Sequence, residues 1–517
     1  MKRRQFIKHV GHSLAVPGLV GSLGIGSASA RSMQRLLRMA TEGDKVLVVI
    51  YLDGGNDGLN TVIPLNRLDE LNAVRPDVML SDSVMLPLPD ADLALHPSLQ
   101  GLHSLYTQNK LGIIQNVGYP EQNYSHFRSS DIWMSASDAH EVISSGWMGR
   151  YLDQEFSGFP DGYPNDDMPD PVSVEIGYGS SMLFQGPTSL MSMVINNTND
   201  FHRLLDGTEE EAPDTAAGDR LKHVRAVARL SQLYGQRVVD AANQAGNQLS
   251  YPDFDLANNL SIISRLISGG LKTPIYMVRI GGFDTHSDQV KDEDTATGTH
   301  AELLQQVNDG ITRFMEDLEH LGIGDKVIGM TFSEFGRRIV SNASKGTDHG
   351  AAAPLFIFGN KVKGGVLGSN PVVDTGMTYE DNLPMEYDFR QVYSSVLEQW
   401  FGTDESQRDT VLFKDFETLD LIGDPVISGL NPDKKSLVNI YPNPLNGAAK
   451  IEYISDGKEM NISVMDLQGR LIETIRSGKY PIGKQIIQWN TSGLKEGRYF
   501  VLFRSRNIQF TKSVVKH

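Results

Sequence analysis

Cysteine is absent from all 517 residues, which excludes disulfides, thiolate metal sites and cysteine nucleophiles. Long apolar runs are missing too. The stretch from Val10 to Ile25 is glycine-rich and falls short of the ~20 apolar residues that a membrane span requires, so no transmembrane segment is expected in the mature chain. Neither G-x-G-x-x-G nor a P-loop occurs, so those phosphate-cradling fingerprints are excluded. Basic residues are scarce in the body of the chain: residues 31–435 hold 31 Lys and Arg against 58 Asp and Glu. Such a body repels nucleic acid and anionic membranes, and no nucleic-acid partner is expected. An anionic substrate would need local cations, which bound metal supplies. Hydrophobic content of 40% is ordinary for a globular protein, and the length implies two or three domains.

Net positive charge is confined to the two ends. Residues 1–30 hold four basic and no acidic residues: a basic head, a short apolar segment and then Ala28-Ser29-Ala30, the layout of a cleavable export signal. Arg3-Arg4-Gln5-Phe6-Ile7-Lys8 resembles the twin-arginine signal. That resemblance implies export of an already folded protein through the twin-arginine translocase.

From residue 45 to about 425, short apolar runs alternate with longer amphipathic segments. Strands are expected at 45–52, 111–117, 171–177, 191–195, 275–280, 326–332 and 354–359. Helices are expected at 97–109, 126–136, 219–246, 254–268, 299–321 and 388–401. This alternation predicts an α/β, doubly wound and mostly parallel sheet covered on both faces, spanning 31–430. A polar loop is expected at 155–170 and a mobile one at 205–218. A linker at 431–435 leads to residues 436–517, where seven short strand-like runs broken by turns predict a small β-sandwich. In that tail Tyr441-Pro442-Asn443-Pro444, the run Val464-Met465-Asp466-Leu467-Gln468-Gly469-Arg470, Gly497-Arg498-Tyr499-Phe500 and Lys512-Ser513-Val514-Val515-Lys516 resemble the type A C-terminal sorting domain of the type IX secretion system. The resemblance implies handling by type IX secretion machinery and a secreted or cell-surface product, reached through the periplasm.

The acidic and histidine residues fall where chemistry gathers in open α/β sheets, outside the carboxyl ends of strands. Asp53 follows VLVVIYL, Asp284 and His286 follow MVRIGGF, Glu334 follows VIGMTFS, and Asp348 and His349 precede LFIFG. Asp57 and Asn60 lie close behind Asp53. Carboxylates and imidazoles brought together there make a hydrolytic metal centre. Each pattern has a plainer reading: DGG as an Asx turn, Glu334 with Arg337 or Arg338 as an ion pair, His286 as a surface residue, Asp348-His349-Gly350 as a turn. Ser125 opens a helix, where the dipole and free amides favour an alkoxide or a bound anion. Arg128 is suited to the non-bridging oxygens of a phosphoryl or sulfuryl group. The plain reading of Ser125 is a helix N-cap.

Asp53-Gly-Gly-Asn-Asp57-Gly-Leu-Asn60, Ser125-His126-Phe127, Gly282-Phe283-Asp284-Thr285-His286, Ser333-Glu334-Phe335-Gly336-Arg337 and Thr347-Asp348-His349-Gly350 together resemble the family named domain of unknown function 1501, of the alkaline phosphatase and sulfatase superfamily. The resemblance implies two divalent metals, one held by Asp53 and Glu334 and the other by Asp284, His286 and His349, with Ser125 as nucleophile. Zinc is the first choice, with calcium, manganese and magnesium as alternatives. The chain departs from the pattern in three ways. Asp284 and His286 are spaced more tightly than the superfamily's usual pair. Glu334-Phe335 stands where an Asp-His pair is usual, so one imidazole ligand is missing; Asp57, His126 and Asp348 are the candidates to replace it, unless that site is empty. Phe127 and Ser129 replace the Pro and Arg that formylglycine formation needs. The expectation is an exported metal-dependent hydrolase of phosphate or sulfate esters. The alternatives are a degenerate surface protein of the same fold that binds metal or polysaccharide without turnover, and a purely structural surface protein.

Overall fold

The structure, a computed structural model, describes residues 45–423 except 90, 178 and 196–215, and residues 438–516 except 456–458, 466–470, 480–482 and 506–508. The export signal at 1–30, most of the 205–218 loop and the 431–435 linker lie outside the described residues. The chain divides into two compact units between Asp424 and Pro425.

Among the described residues, nine strands form the central sheet of the larger unit: β1 (Val46–Leu52), β2 (Leu111–Gly118), β3 (Val174–Ile176), β4 (Met193–Ile195), β5 (Ile275–Ile280), β6 (Val327–Phe332), β7 (Ala353–Gly359), β8 (Gly365–Leu367) and β9 (Tyr387–Asp388). Their spatial order is β8-β2-β7-β6-β1-β5-β3-β4, with β9 also paired to β2. All pairings are parallel except those of β7, which runs antiparallel to β2 and β6. Every residue of β1, β2 and β6 is buried. Strands buried on both sides need both faces of the sheet covered, and Val, Ile and Leu supply that double burial. This is the expected mostly parallel α/β sheet. The helices are α1 (Gln100–Thr107), α2 (His126–Ser135), α3 (Trp147–Glu155), α4 (Ala216–Gln244), α5 (Asp255–Ser268), α6 (Thr299–His320) and α7 (Phe389–Ser395), beside shorter ones. Among the described residues no helix is long and apolar enough to cross a membrane.

Register positions the site. Leu52 pairs with Ile280 and Tyr51 with Phe332, so the segments after β1, β5 and β6 leave the sheet side by side. Antiparallel β7 starts at that same edge, which brings the residues just before it to the same place. β2 runs parallel to β8 and antiparallel to β7, so its end, and the start of α2 beyond it, arrive there too.

Among its described residues the smaller unit has seven strands: Val438–Asn446, Ala448–Ser455, Glu459–Met465, Leu471–Lys479, Gly483–Asn490, Gly497–Ser505 and Gln509–Lys516. Two antiparallel groups meet at a single parallel pairing, Leu445 with Lys516. Both groups contribute to one apolar core, with Ile451, Tyr453, Ile487 and Trp489 from one and Ile462, Val464, Val501 and Val514 from the other.

Candidate metal centre

Four chain segments meet at the sheet edge, and Arg337 ties three of them together. Its side chain is fully buried. It donates to the carbonyl of Gly55 at 2.7 Å, of Thr347 at 2.7 Å, of Phe283 at 3.0 Å and of Gly54, and to Asp284 Oδ1 at 2.7 Å. Gly54 is required by that crowding: its φ is +122°, and a Cβ there would lie 2.3 Å from the Asp284 amide nitrogen.

Three imidazoles surround Asp284. His349 Nδ1 lies 2.7 Å from the Tyr124 carbonyl. A carbonyl only accepts, so Nδ1 carries the proton and the neutral ring has a lone pair on Nε2. His286 Nδ1 lies 2.5 Å from Asp348 Oδ1. Asp348 also accepts from Tyr379 Oη and, at 3.1 Å, from Asn342 Nδ2. Burial raises the Asp348 carboxyl, but these hydrogen bonds outweigh it and hold it below the usual range. As an ionised acceptor it holds a proton on His286 Nδ1, which in the neutral tautomer leaves Nε2 as the acceptor. The two Nε2 atoms are 2.8 Å apart, and each is 3.1 Å from Asp284 Oδ1. Burial works against ionised Asp284 too, yet the Arg337 guanidinium brings it down to about 2. Burial also lowers His349, favouring its neutral form.

The third ring is His126, at the start of α2. Its Nδ1 is 2.8 Å from Glu334 Oε1 and its Nε2 is 3.5 Å from Asp284 Oδ2. One ligand atom from each of His126, Asp284 and His349 falls within 4.8 Å of the others. Acceptors facing one another at such distances repel unless a cation lies between them. Ligand atoms around a tetrahedral zinc stand ~3.3 Å apart, as follows from Zn–N bonds of ~2.0 Å. The donor set therefore fits a divalent ion, and the Asp348 and Tyr124 contacts are the outer supports that orient metal-ligating histidines.

The other expected residues lie as follows. Glu334 is fully buried; burial pushes its carboxyl up, opposed by the His126 hydrogen bond. Both its oxygens accept from the Gly54 amide, at 3.0 and 3.2 Å. Asp53 stands at the end of β1 and is held by Arg279, through Nε at 3.0 Å and through Nη2. Ser125 is exposed and occupies the N-cap position of α2, but its hydroxyl makes no capping hydrogen bond, so the plain N-cap reading does not account for it. Arg128 is not brought to the cluster. Its guanidinium donates through Nε and Nη2 to the carbonyls of Asp138, Ala139 and Glu141 and to Ser137 Oγ, which turns that edge of the fork to the 137–141 loop. Asp57 and Asn60 also turn elsewhere. Asp57 forms a buried ion pair with Arg75 and accepts from Gln289 at 2.6 Å, and Asn60 donates to the Val78 carbonyl at 2.6 Å. Of the candidates to replace the missing imidazole, His126 is the one beside Glu334.

Sequence reasoning did not find Arg337 as the hub or Arg279 as the partner of Asp53. The signal for Arg279 was a lone charge inside the apolar run IYMVRI. Nothing local marks the Tyr124 carbonyl or the Tyr379 hydroxyl, whose roles are set by loops that meet only in the fold.

The family model described as "Protein of unknown function (DUF1501)" matches residues 44–411, and the one described as "Secretion system C-terminal sorting domain" matches residues 439–517. No curated protein matches. Among solved structures, a surface component of the type IX secretion system of Porphyromonas gingivalis is 18% identical over 19% of this chain, with a TM-score of 0.14; the likeness spans only 13% of that chain. A sulfatase from Pseudoalteromonas sp. is 12% identical over 90% of this chain and 87% of its own, with a TM-score of 0.32. A protein in the alkaline phosphatase superfamily from Vibrio parahaemolyticus is 9% identical over 90% of this chain and 82% of its own, with a TM-score of 0.31. The sorting domain indicates a secreted or cell-surface protein handled by type IX secretion.

Proposed function

This chain belongs to the DUF1501 family, and on that premise we propose that it is a metal-dependent hydrolase of phosphate or sulfate esters, delivered to the periplasm by the twin-arginine translocase. The observation that carries the reading is the convergence of His286 Nε2 and His349 Nε2 on Asp284 Oδ1, an arrangement that suits a shared cation. Asp284, His286 and His349 hold the ion, and zinc suits two imidazoles and a carboxylate. When bound, the ion supplies Lewis acidity that lowers the pKa of an attacking hydroxyl or water. Ser125 offers its uncapped hydroxyl at the start of α2, where free amides favour an oxyanion. His126, next in the chain, links that helix start to Glu334 and Asp284. In this reading Arg128 holds the 137–141 loop against α2 and leaves contact with the ester to other groups.

A second reading is favoured by the commitment of Arg128 and Asp53 to protein partners: a surface protein that binds metal without turnover. The deciding experiment is metal analysis of the native protein, followed by assay with aryl phosphate and aryl sulfate. Bound divalent ion, lost in a His286→Ala/His349→Ala double variant, together with hydrolysis that falls roughly 10³-fold or more in Ser125→Ala, supports the serine hydrolase. Metal without hydrolysis moves the assignment to the binding protein. A folded chain that takes up no zinc, manganese or calcium refutes the metal centre.

A further inference from the structure

We infer that the centre holds one divalent ion rather than two, and that Arg279 stands in for the second. This rests on the metal reading of Asp284, His286 and His349. Family resemblance implies a further ion on Asp53 and Glu334, but those two carboxylates are differently placed from the Asp284 group. Around Asp284, two imidazole Nε2 atoms converge on a carboxylate oxygen that also takes the buried Arg337. Around Asp53 and Glu334, acceptors face donors. Asp53 Oδ2 takes Nε of Arg279 at 3.0 Å and also its Nη2. Glu334 Oε1 takes the Gly54 amide at 3.0 Å and His126 Nδ1 at 2.8 Å, while Oε2 shares the Gly54 amide at 3.2 Å. With Asp53 and Glu334 so engaged, the residues do not fit a second ion.

Charge agrees. Asp53, Asp284, Glu334 and Asp348 bring four negative charges, and Arg279 and Arg337, each bonded to one of them, return two positive ones. One divalent ion brings this group to neutrality; a second would leave it strongly positive in an environment where Glu334 is fully buried. Arg279 is also built to stay. It is the exposed position in an otherwise buried strand, its guanidinium lies 5.5 Å from the Tyr51 ring centroid, and the Tyr51 hydroxyl is fixed 2.8 Å from Ser130 Oγ on α2. With a side chain 63% exposed, Arg279 keeps its outer face open to solvent. A fixed guanidinium there can take the non-bridging oxygens of a tetrahedral anion, the part that Arg128 does not play.

The test is zinc and manganese stoichiometry of the full chain by metal analysis after equilibrium dialysis, with circular dichroism to confirm folding. Wild type should bind one ion per chain. Arg279→Ala, an exposed substitution expected to fold, should bind two, because Asp53 is freed to share an ion with Glu334. Arg279→Lys, which keeps the charge, should stay at one. Two ions in the wild type, or one in folded Arg279→Ala, overturns the inference while leaving a metal centre intact. No ion in the folded wild type overturns the metal reading beneath it.

Discussion

Arg337 shows how much one side chain can decide. A guanidinium presents five donors in a rigid fork, and here four carbonyls and one carboxylate use it. Replacement by methionine would strip the charge from a buried network and leave those carbonyls without donors. The expected cost is about 3–5 kcal/mol, read by urea unfolding of the metal-free protein; a loss below about 1 kcal/mol would show that the loops hold one another without it. Glu175 sits far from the proposed metal ligands in sequence, on β3. Ser192 Oγ donates to it at 2.6 Å and the Ser181 amide at 2.8 Å. Burial still wins and pushes its carboxyl up from 4.5 to about 7. The folded state therefore holds this proton more tightly than the unfolded one. The associated stability is complete below the unfolded pKa and is lost as pH rises through about 4.5 to 7, by up to roughly 3 kcal/mol. In Glu175→Gln that decline should flatten, as measured by unfolding at pH 4.5 and 7.5. An unchanged pH slope would rule Glu175 out as its source.

At the scale of elements, the strand ends were readable and their cross-connections were not. All seven expected strand runs in the larger unit are strands of the central sheet, because continuous Val and Ile runs leave little alternative once both faces are covered. Five of the six expected helices appear at close to their expected limits, and the sixth, at 388–401, divides into α7 and a π-helical turn at Val396–Trp400. That turn ends on Trp400, whose indole N–H reaches the Val46 carbonyl at 3.2 Å, a tertiary contact that periodicity does not encode. Helix α3 went unpredicted. It begins after Gly146 with no side-chain cap. Arg150 fastens it by donating to the Ser145, Ser135 and Val411 carbonyls, again contacts made across the fold. The turn after β1 gives the element-scale prediction. Gly54→Ala forces a Cβ to 2.3 Å from the Asp284 amide nitrogen at a φ of +122°. It should destabilise the protein by about 1–3 kcal/mol or more and weaken metal binding, measured by thermal unfolding with and without zinc. Wild-type stability and affinity would mean that the Asp53 and Asp284 segments can separate without consequence.

Across the whole molecule, the two units have separate cores. The larger is built on β1, β2, β5, β6 and β7 with their helices, the smaller on Leu445, Ile451, Trp489, Val501 and their neighbours. Chains of more than one domain depart from two-state unfolding. Calorimetry of the full chain should resolve two transitions, and a chain ending at residue 424 should lose one of them and keep its metal. A single transition, or loss of metal on truncation, would show that the units depend on one another. The sequence by itself determined the α/β class, the strand runs of both units, the tail's kinship with sorting domains, and the residue types at the sheet edge, since each is carried by a pattern within a few neighbouring residues. Tertiary structure alone decided which acceptors meet which donors. Asp53 and Arg279 are 226 positions apart, as are in similar measure His349 and the Tyr124 carbonyl, at 225. Such pairs depend on the register of β1 with β5 and β6 and on where α2 begins, and hydrogen-bond geometry is settled only when those distant segments are packed together.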